Sequence, residues 1–324
     1  MGVYMRGLRQ LLAMSACVAM FGAGQALAAD NPAPAKEAPK DIVLTGDAKC
    51  TSCHDEADAP ELLRIGKTKH GTKADGRTPT CTNCHGESKA HVDHKGSDKP
   101  PKPDMAFGKN TKNEAAARSD ACLSCHQGGK RIHWQGGVHA NRDVTCASCH
   151  KIHDGHDKVR SKQTQTEVCF TCHKEQRNQV SRPSHHPIIE GKMTCTSCHD
   201  VHGDNPKMMA RGTTNDTCYT CHMEKRGPFL FSHQPVTEDC SICHNPHGTT
   251  IASMLKSRAP FLCQSCHDPA GGHHGAAANL ANATSTSPGG AGMGTMARGC
   301  LNCHTNIHGS NSTQDAGSGN RLIR

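Results

Sequence analysis

Twenty of the 21 cysteines stand in the pattern Cys-x-x-Cys, and every pair is followed at once by histidine. The ten motifs are Cys50-Thr-Ser-Cys53-His54, Cys81-Thr-Asn-Cys84-His85, Cys122-Leu-Ser-Cys125-His126, Cys146-Ala-Ser-Cys149-His150, Cys169-Phe-Thr-Cys172-His173, Cys195-Thr-Ser-Cys198-His199, Cys218-Tyr-Thr-Cys221-His222, Cys240-Ser-Ile-Cys243-His244, Cys263-Gln-Ser-Cys266-His267 and Cys300-Leu-Asn-Cys303-His304. Cys-x-x-Cys-His is the attachment signature of c-type haem: the two thiols bond to the porphyrin's vinyl groups, and the adjacent imidazole is set against the iron as its proximal ligand. Zinc chelation by paired motifs, or oxidation to disulfides in an exported chain, also uses Cys-x-x-Cys. Neither explains a histidine in the next position ten times out of ten when only 25 of 324 residues are histidine. Cys17 is the one cysteine left over.

The sixth position of each iron separates an electron carrier from an enzyme, because a second histidine closes the metal to substrates. Fifteen histidines lie outside the motifs, and their positions are patterned. The motifs group in five pairs, each with one histidine site in the gap and one shortly after the second motif. The gap residues are His70, His139, His185 or His186, His233, and His273 or His274. The trailing ones are His91, His153, His202, His247 and His308. At the doubled sites His186 is preferred, since Pro187 follows it as Pro235 follows His233-Gln, and His273 is preferred over His274. The expected distal ligands are therefore His70, His91, His139, His153, His186, His202, His233, His247, His273 and His308. His94, His133 and His156 are read as polar loop residues.

A trailing histidine three residues after its proximal neighbour cannot reach the far face of the same haem, since three residues span at most about 10 Å. It could serve the next motif's haem, which leaves the first haem unserved and His308 unused. Alternatively it serves the preceding haem of its own pair, which satisfies ten haems with nothing over. The count favours this within-module scheme, and either one joins neighbouring haems into a line.

The elements that must hold these groups contain little apolar material. Only 34% of residues are hydrophobic and 3% aromatic. The interior must come from something other than side chains, so the haems are expected to form the core. The fold class is a multihaem cytochrome: mostly coil with short α-helices, an elongated repeat of two-haem modules, and almost no β-structure. Motif starts fall 22 to 41 residues apart, which suits a repeat stabilised by stacking. One short helix is expected from Asp216 to about Gly227, with an Asp or Thr cap and a terminal glycine.

The opening residues, with Arg6 and Arg9, an apolar run to about Ala23 and Ala26-Leu-Ala28, read as a secretory signal peptide over 1–28. A Pro/Ala/Lys-rich flexible leader occupies 29–47, followed by an N-terminal pentahaem half (48–180) and a C-terminal one (181–324). Residues 94–113 and 271–294 are long loops. The formal charge of +8 becomes +6 when Arg6 and Arg9 leave. Each ferric haem with ionised propionates adds about one negative charge, so ten bring the total to about −4. The basic residues read as counter-charge for propionates, and no nucleic-acid partner is expected.

With ten motifs in this spacing the mature chain resembles the periplasmic decahaem cytochromes of the MtrA/DmsE type. The resemblance is carried by Ala121 to Gln127, Trp134-Gln-Gly-Gly, Thr145 to His150, Asn215 to Pro228, Pro235-Val-Thr-Glu, Ser257-Arg-Ala-Pro260, Cys300 to His304 and His308-Gly-Ser-Asn. It implies an electron-transfer protein without an open catalytic haem, carrying ten bis-histidine c-type haems. It further implies a periplasmic location at the outer membrane, inside a β-barrel porin of the MtrB type. A multihaem cytochrome on the cell surface and a periplasmic or inner-membrane cytochrome would be its partners, with Fe(III) as an outward acceptor or Fe(II) as an inward donor. The alternative is a soluble periplasmic electron shuttle or reservoir. A nitrite-type reductase would need a five-coordinate haem, often marked by Cys-x-x-Cys-Lys, and all ten motifs here end in histidine.

Overall fold

The structure, a computed structural model, describes residues 47–71, 76–267, 300–302, 304–313 and 322. The expected signal peptide, all of the leader but Asp47, the loop 271–294, His273, His274 and Cys303 lie outside the described residues. The described part consists of short helical turns joined by coil. Its α-helices are α1 (Ala48–Thr51), α2 (Pro60–Leu63), α3 (Cys81–His85), α4 (Lys89–Val92), α5 (Ala115–Leu123), α6 (Cys146–Cys149), α7 (Gln165–Phe170), α8 (Lys174–Gln179), α9 (Thr214–Cys218), α10 (Gln234–Glu238) and α11 (Phe261–Gln264). The longest, α5, has nine residues. Among the described residues there is no β-strand, only isolated bridges such as Ser184 with Thr249 and Phe231 with Ser310. No described helix is long and apolar enough to cross a membrane.

The helices are placed by the motifs. In each module the first motif closes a helix: Cys50, Cys122, Cys169, Cys218 and Cys263 sit in α1, α5, α7, α9 and α11. The second motif opens one, α3 at Cys81 and α6 at Cys146, and 3-10 turns at Cys195–Ser197, Cys240–Ile242 and Cys300–Asn302. The opening is written inside the motif. Thr80, Thr145 and Thr194 cap the turns, and Asn83, Ser148 and Ser197, the second variable residue of each motif, reach back to the threonine N–H at 2.7, 3.1 and 3.1 Å. This reciprocal capping box satisfies backbone donors that a short turn leaves free. Asp239 caps the turn at Cys240 by accepting from the Ser241 N–H at 2.7 Å.

The helix expected over 216–227 is two pieces. It starts earlier, with Thr213 accepting from the Asp216 N–H, and ends at Cys218; a separate 3-10 turn spans Met223–Lys225. The break falls at His222, whose backbone (φ −101°, ψ 52°) leaves the helical region.

The apolar interior that side chains supply is small. Among the described residues the buried hydrophobic side chains are Ala59, Trp134, Val180 and Met209, while Ser119, Thr145, Gln165, Gln179, Asn215 and Thr217 are buried polar ones. Buried Asp47, Gln165 and Asn215 latch the two motifs of a module together. The Cys81 N–H donates to Asp47 Oδ2 at 2.8 Å, the Thr196 N–H to Gln165 Oε1 at 3.2 Å, and the Cys240 N–H to Asn215 Oδ1 at 2.7 Å.

Successive modules are joined by a different device. The segment around a gap histidine lies against the segment around the next module's trailing histidine. Ser184 and Thr249 exchange both backbone bonds (2.8 and 3.1 Å), and Phe231 and Ser310 do the same at 2.9 Å each. At these two junctions glycine follows the trailing histidine because the approach is close. At Gly248 (φ +140°) a Cβ would stand 2.3 Å from the Gln179 carbonyl oxygen, and at Gly309 (φ +141°) 2.2 Å from the Phe229 ring.

Candidate functional site

Nine proximal histidines each face one further histidine. His54 faces His91 with ring centroids 5.9 Å apart, His85 faces His153 at 6.2 Å, His126 faces His70 at 5.7 Å, and His150 faces His202 at 6.2 Å. His173 faces His139 and His222 faces His186, both at 6.2 Å; His199 faces His247 and His267 faces His233, both at 6.0 Å; and His244 faces His308 at 6.1 Å. Two metal–imidazole bonds of about 2 Å put the ligating nitrogens about 4 Å apart, and the rings behind them about 6 Å apart centre to centre. The spacing thus fits one iron between each pair. His126 and His70 hold their Nε2 atoms 3.4 Å apart, a few tenths short of that separation.

The sulfurs put these sites in order. Within each module the two first-position sulfurs lie close enough to interact: Cys50 with Cys81, Cys122 with Cys146, Cys169 with Cys195, Cys218 with Cys240, and Cys263 with Cys300. Between modules the second-position sulfurs are neighbours: Cys84 with Cys125, Cys149 with Cys172, Cys198 with Cys221, and Cys243 with Cys266. First-position and second-position contacts alternate from Cys50 to Cys300, so the motifs follow one another in sequence order. Burial pushes up the Cys84, Cys149, Cys198 and Cys243 thiols, and burial beside Asp47 pushes Cys81 up to about 12. Asp47, Cys50 and Cys81 also offer three metal-ligand atoms within 4.8 Å of one another. Both sulfurs belong to attachment motifs, however, which leaves one carboxylate.

The outer nitrogen of many rings is fixed by the fold, which sets the tautomer and aims Nε2 at the partner ring. Backbone carbonyls accept from Nδ1 at His85 (Met105, 2.8 Å), His153 (Leu62, 2.8 Å), His186 (Pro246, 2.8 Å), His199 (Lys207, 3.2 Å) and His244 (Ser253, 2.8 Å). At His150 the acceptor is a side chain, Asp157 Oδ2 at 2.6 Å. Burial lowers the pKa of His85, His126, His202, His233, His247 and His308. Lowering keeps these imidazoles neutral, the form that binds a metal.

The within-module scheme fails in this geometry everywhere except the first pair, His54 with His91. Each other described trailing histidine turns back to the second motif of the module before it (His153 to His85, His202 to His150, His247 to His199, His308 to His244). Each described gap histidine turns forward to the first motif of the module after it (His70 to His126, His139 to His173, His186 to His222, His233 to His267). The reason is the junction between modules, which brings the carbonyls of Leu62 and Pro246 onto His153 and His186. At the doubled site His186 faces His222, while His185 pairs with Glu190 at 2.9 Å. His94 lies beside Asp98 (3.2 Å) and His133 beside Asp204 (3.4 Å), outside the nine pairs. His304 donates its backbone N–H to Cys300, and the residues expected to face it, His273 or His274, are outside the described residues. Sequence reasoning missed Asp157 altogether. Its signal is only that of a carboxylate seven residues after a motif histidine, where the other modules have nothing comparable to align with it.

The doubled CXXCH motif family matches residues 185–227 and 233–272, and the family of cytochrome c-type proteins like NrfB matches residues 81–166. The multiheme cytochrome MtrA of Shewanella baltica (strain OS185) is 39% identical over 318 residues, which cover 93% of this chain and 92% of that protein. The cytochrome c-type protein NrfB of Haemophilus influenzae is 29% identical over 163 residues, covering 44% of this chain and 70% of that protein. Likeness along nearly the whole length of both chains, on top of Cys-x-x-Cys-His turns set in sequence order, shows that this chain belongs to the MtrA family of multihaem c-type cytochromes, which transfer electrons.

Proposed function

We propose that this chain is a decahaem wire that carries electrons across the outer membrane inside a β-barrel porin, between periplasmic carriers and extracellular acceptors such as Fe(III), or inward from Fe(II). The observation that carries the reading is the alternation of sulfur contacts along the chain, with a second histidine facing each of nine proximal ones. When bound, the haems supply one-electron Fe(III)/Fe(II) exchange. The cysteines would fix each group covalently, His54, His85, His126, His150, His173, His199, His222, His244, His267 and His304 would take the proximal side, and the facing histidines the distal side. In this reading His273 or His274 completes the tenth site.

Paired imidazoles exclude a substrate from the metal and hold the coordination sphere nearly unchanged between redox states, which suits outer-sphere transfer and not catalysis. The polar, loop-rich surface needs a sheath, because coil cannot face hydrocarbon and about 30 Å of it defeats direct tunnelling. A barrel supplies that sheath. A surface cytochrome outside and a periplasmic or inner-membrane cytochrome inside would be the terminal partners.

The test is reconstitution of the mature holoprotein in liposomes that enclose a reduced dye, with Fe(III) outside. Electrons should cross only when the porin is also present. Crossing without the porin, or none with it, overturns the conduit and leaves the soluble shuttle. A high-spin EPR signal from the native protein would overturn closed bis-histidine ligation.

A further inference from the structure

Four of the five second-motif sites are built alike except for one group. Each proximal histidine there donates Nδ1–H to an acceptor supplied by the loop that follows. At His85, His199 and His244 the acceptor is a neutral backbone carbonyl, of Met105, Lys207 and Ser253. At His150 it is the carboxylate of Asp157, and the contact is the shortest of the four at 2.6 Å; the carboxylate beside another proximal Nδ1, Glu224 at His222, stands 3.7 Å away and is exposed. The Asp157 side chain is 18% exposed. Its other oxygen, Oδ1, is buried without a hydrogen-bond partner, and no lysine or arginine pairs with it among the described residues. Its negative charge is therefore directed at the His150 ring and little elsewhere.

We propose that Asp157 is a positioning residue that makes the His150 site the low-potential point of the chain. A carboxylate hydrogen bond is roughly twice as strong as a neutral one, and it draws the Nδ1 proton away from the ring. Electron density moves to Nε2, the atom that would bind iron, so the ligand becomes more basic. A more basic ligand stabilises the oxidised metal, which carries one more positive charge, over the reduced one; second-shell hydrogen bonding is one of the levers that set haem potential. A carbonyl dipole does the same far more weakly. The site lies fourth in the row, inside the wire and away from its ends, so an electron must climb onto it. The inference rests on the bis-histidine reading above, but not on the porin.

The test uses the mature holoprotein with its haem content measured by pyridine haemochrome, and compares Asp157→Asn, Asp157→Glu and Asp204→Asn. Asp204 lies two residues past His202 and pairs with His133, so its loss removes the same charge near the same site without touching a ligand Nδ1. In a spectroelectrochemical titration, one tenth of the haem amplitude should leave the low-potential end in Asp157→Asn. At fixed ambient potential the oxidised-to-reduced ratio of that haem should fall by about tenfold, equivalent to about 59 mV for one electron. Asp157→Glu should keep the low-potential tenth, and Asp204→Asn should leave the curve in place. An unchanged titration in Asp157→Asn, or an equal shift in Asp204→Asn, overturns the proposal. Should Asp157→Asn mature with nine haems, the missing tenth must come from the low-potential end; a tenth missing from elsewhere overturns it too. None of these outcomes depends on conduction across a membrane, so this proposal and the conduit fail separately.

Discussion

Replacing His202 by alanine distinguishes the pairing between modules from pairing within them. In the structure His202 faces His150 with the two rings 14° from coplanar. The within-module alternative would give His202 to His173, whose ring here faces His139 at 70°. The two cases leave different spectra. Near-parallel imidazole planes on a low-spin ferric haem give a rhombic EPR signal, and strongly crossed planes give a highly anisotropic one dominated by a single large g value. Five described pairs are within 23° of parallel: His54 with His91 (4°), His150 with His202 (14°), His244 with His308 (16°), His199 with His247 (22°) and His233 with His267 (23°). Four are crossed at 47° or more: His85 with His153 (47°), His186 with His222 (56°), His70 with His126 (67°) and His139 with His173 (70°).

His202→Ala should therefore take the near-parallel set from five to four, a loss of about a fifth of the rhombic intensity among these sites, and leave the crossed set at four. About a tenth of the iron should become high-spin, since the vacated position is open, and added imidazole should restore the low-spin signal. Trp134, buried and 6.1 Å from the His202 ring, would line the vacated position. The assay is quantitative EPR of the oxidised holoprotein with and without imidazole. An intact rhombic signal with a smaller anisotropic one would refute the pairing, and no high-spin iron would refute the assignment of His202 as a ligand.

At the doubled site the same assay should find a high-spin fraction in His186→Ala and none in His185→Ala, because His185 engages Glu190 and the Arg182 carbonyl instead. Burial pushes the Asp239 carboxyl up, yet hydrogen bonds from Lys207 and Ser241 outweigh it and hold the group at about 2. A depressed carboxylate contributes stability above its unfolded value of about 4 and loses it as pH falls toward 2. Asp239→Asn should thus destabilise the holoprotein at neutral pH by ~0.2–1 kcal/mol, the range of a partly exposed pair, and denaturant melts of the two proteins should converge below about pH 2. Chain produced without haem attachment should be unfolded by circular dichroism and cut rapidly by protease, since Ala59, Trp134, Val180 and Met209 are the buried hydrophobic side chains among the described residues.

What was legible in the sequence is what is local. The turn that presents two sulfurs and an imidazole needs only five residues, and its cap at Thr80, Thr145 or Thr194 stands one residue before it. The shortage of apolar residues likewise announces an interior made by something else. Pairing across modules is not local. Counting histidines could not find it, because a within-module scheme and the nine observed pairs each use a ligand once; distances decide between them, and the distances come from coil segments with no periodicity to read. His139 and His202 show the difficulty. Neither stands in a regular helix or strand that would aim it, and His139 is set by the carbonyl of Val201 at 3.3 Å, 62 residues on.

The pairing also changes what a module is. In a solenoid of independent repeats each unit carries its own contacts and meets its neighbour across an interface. Here each internal module lends one histidine forward and one back, so none closes its own pair of sites, and among the nine described pairs the one closed inside a module is His54 with His91. A cut between two neighbouring modules strands two sites at once, as between His153 and Cys169, where His173 loses His139 and His150 loses His202. Sequence order and spatial order coincide along the wire, yet its stability is shared across every junction. That sharing is the physical reason to expect one continuous conductor instead of two pentahaem halves that work alone.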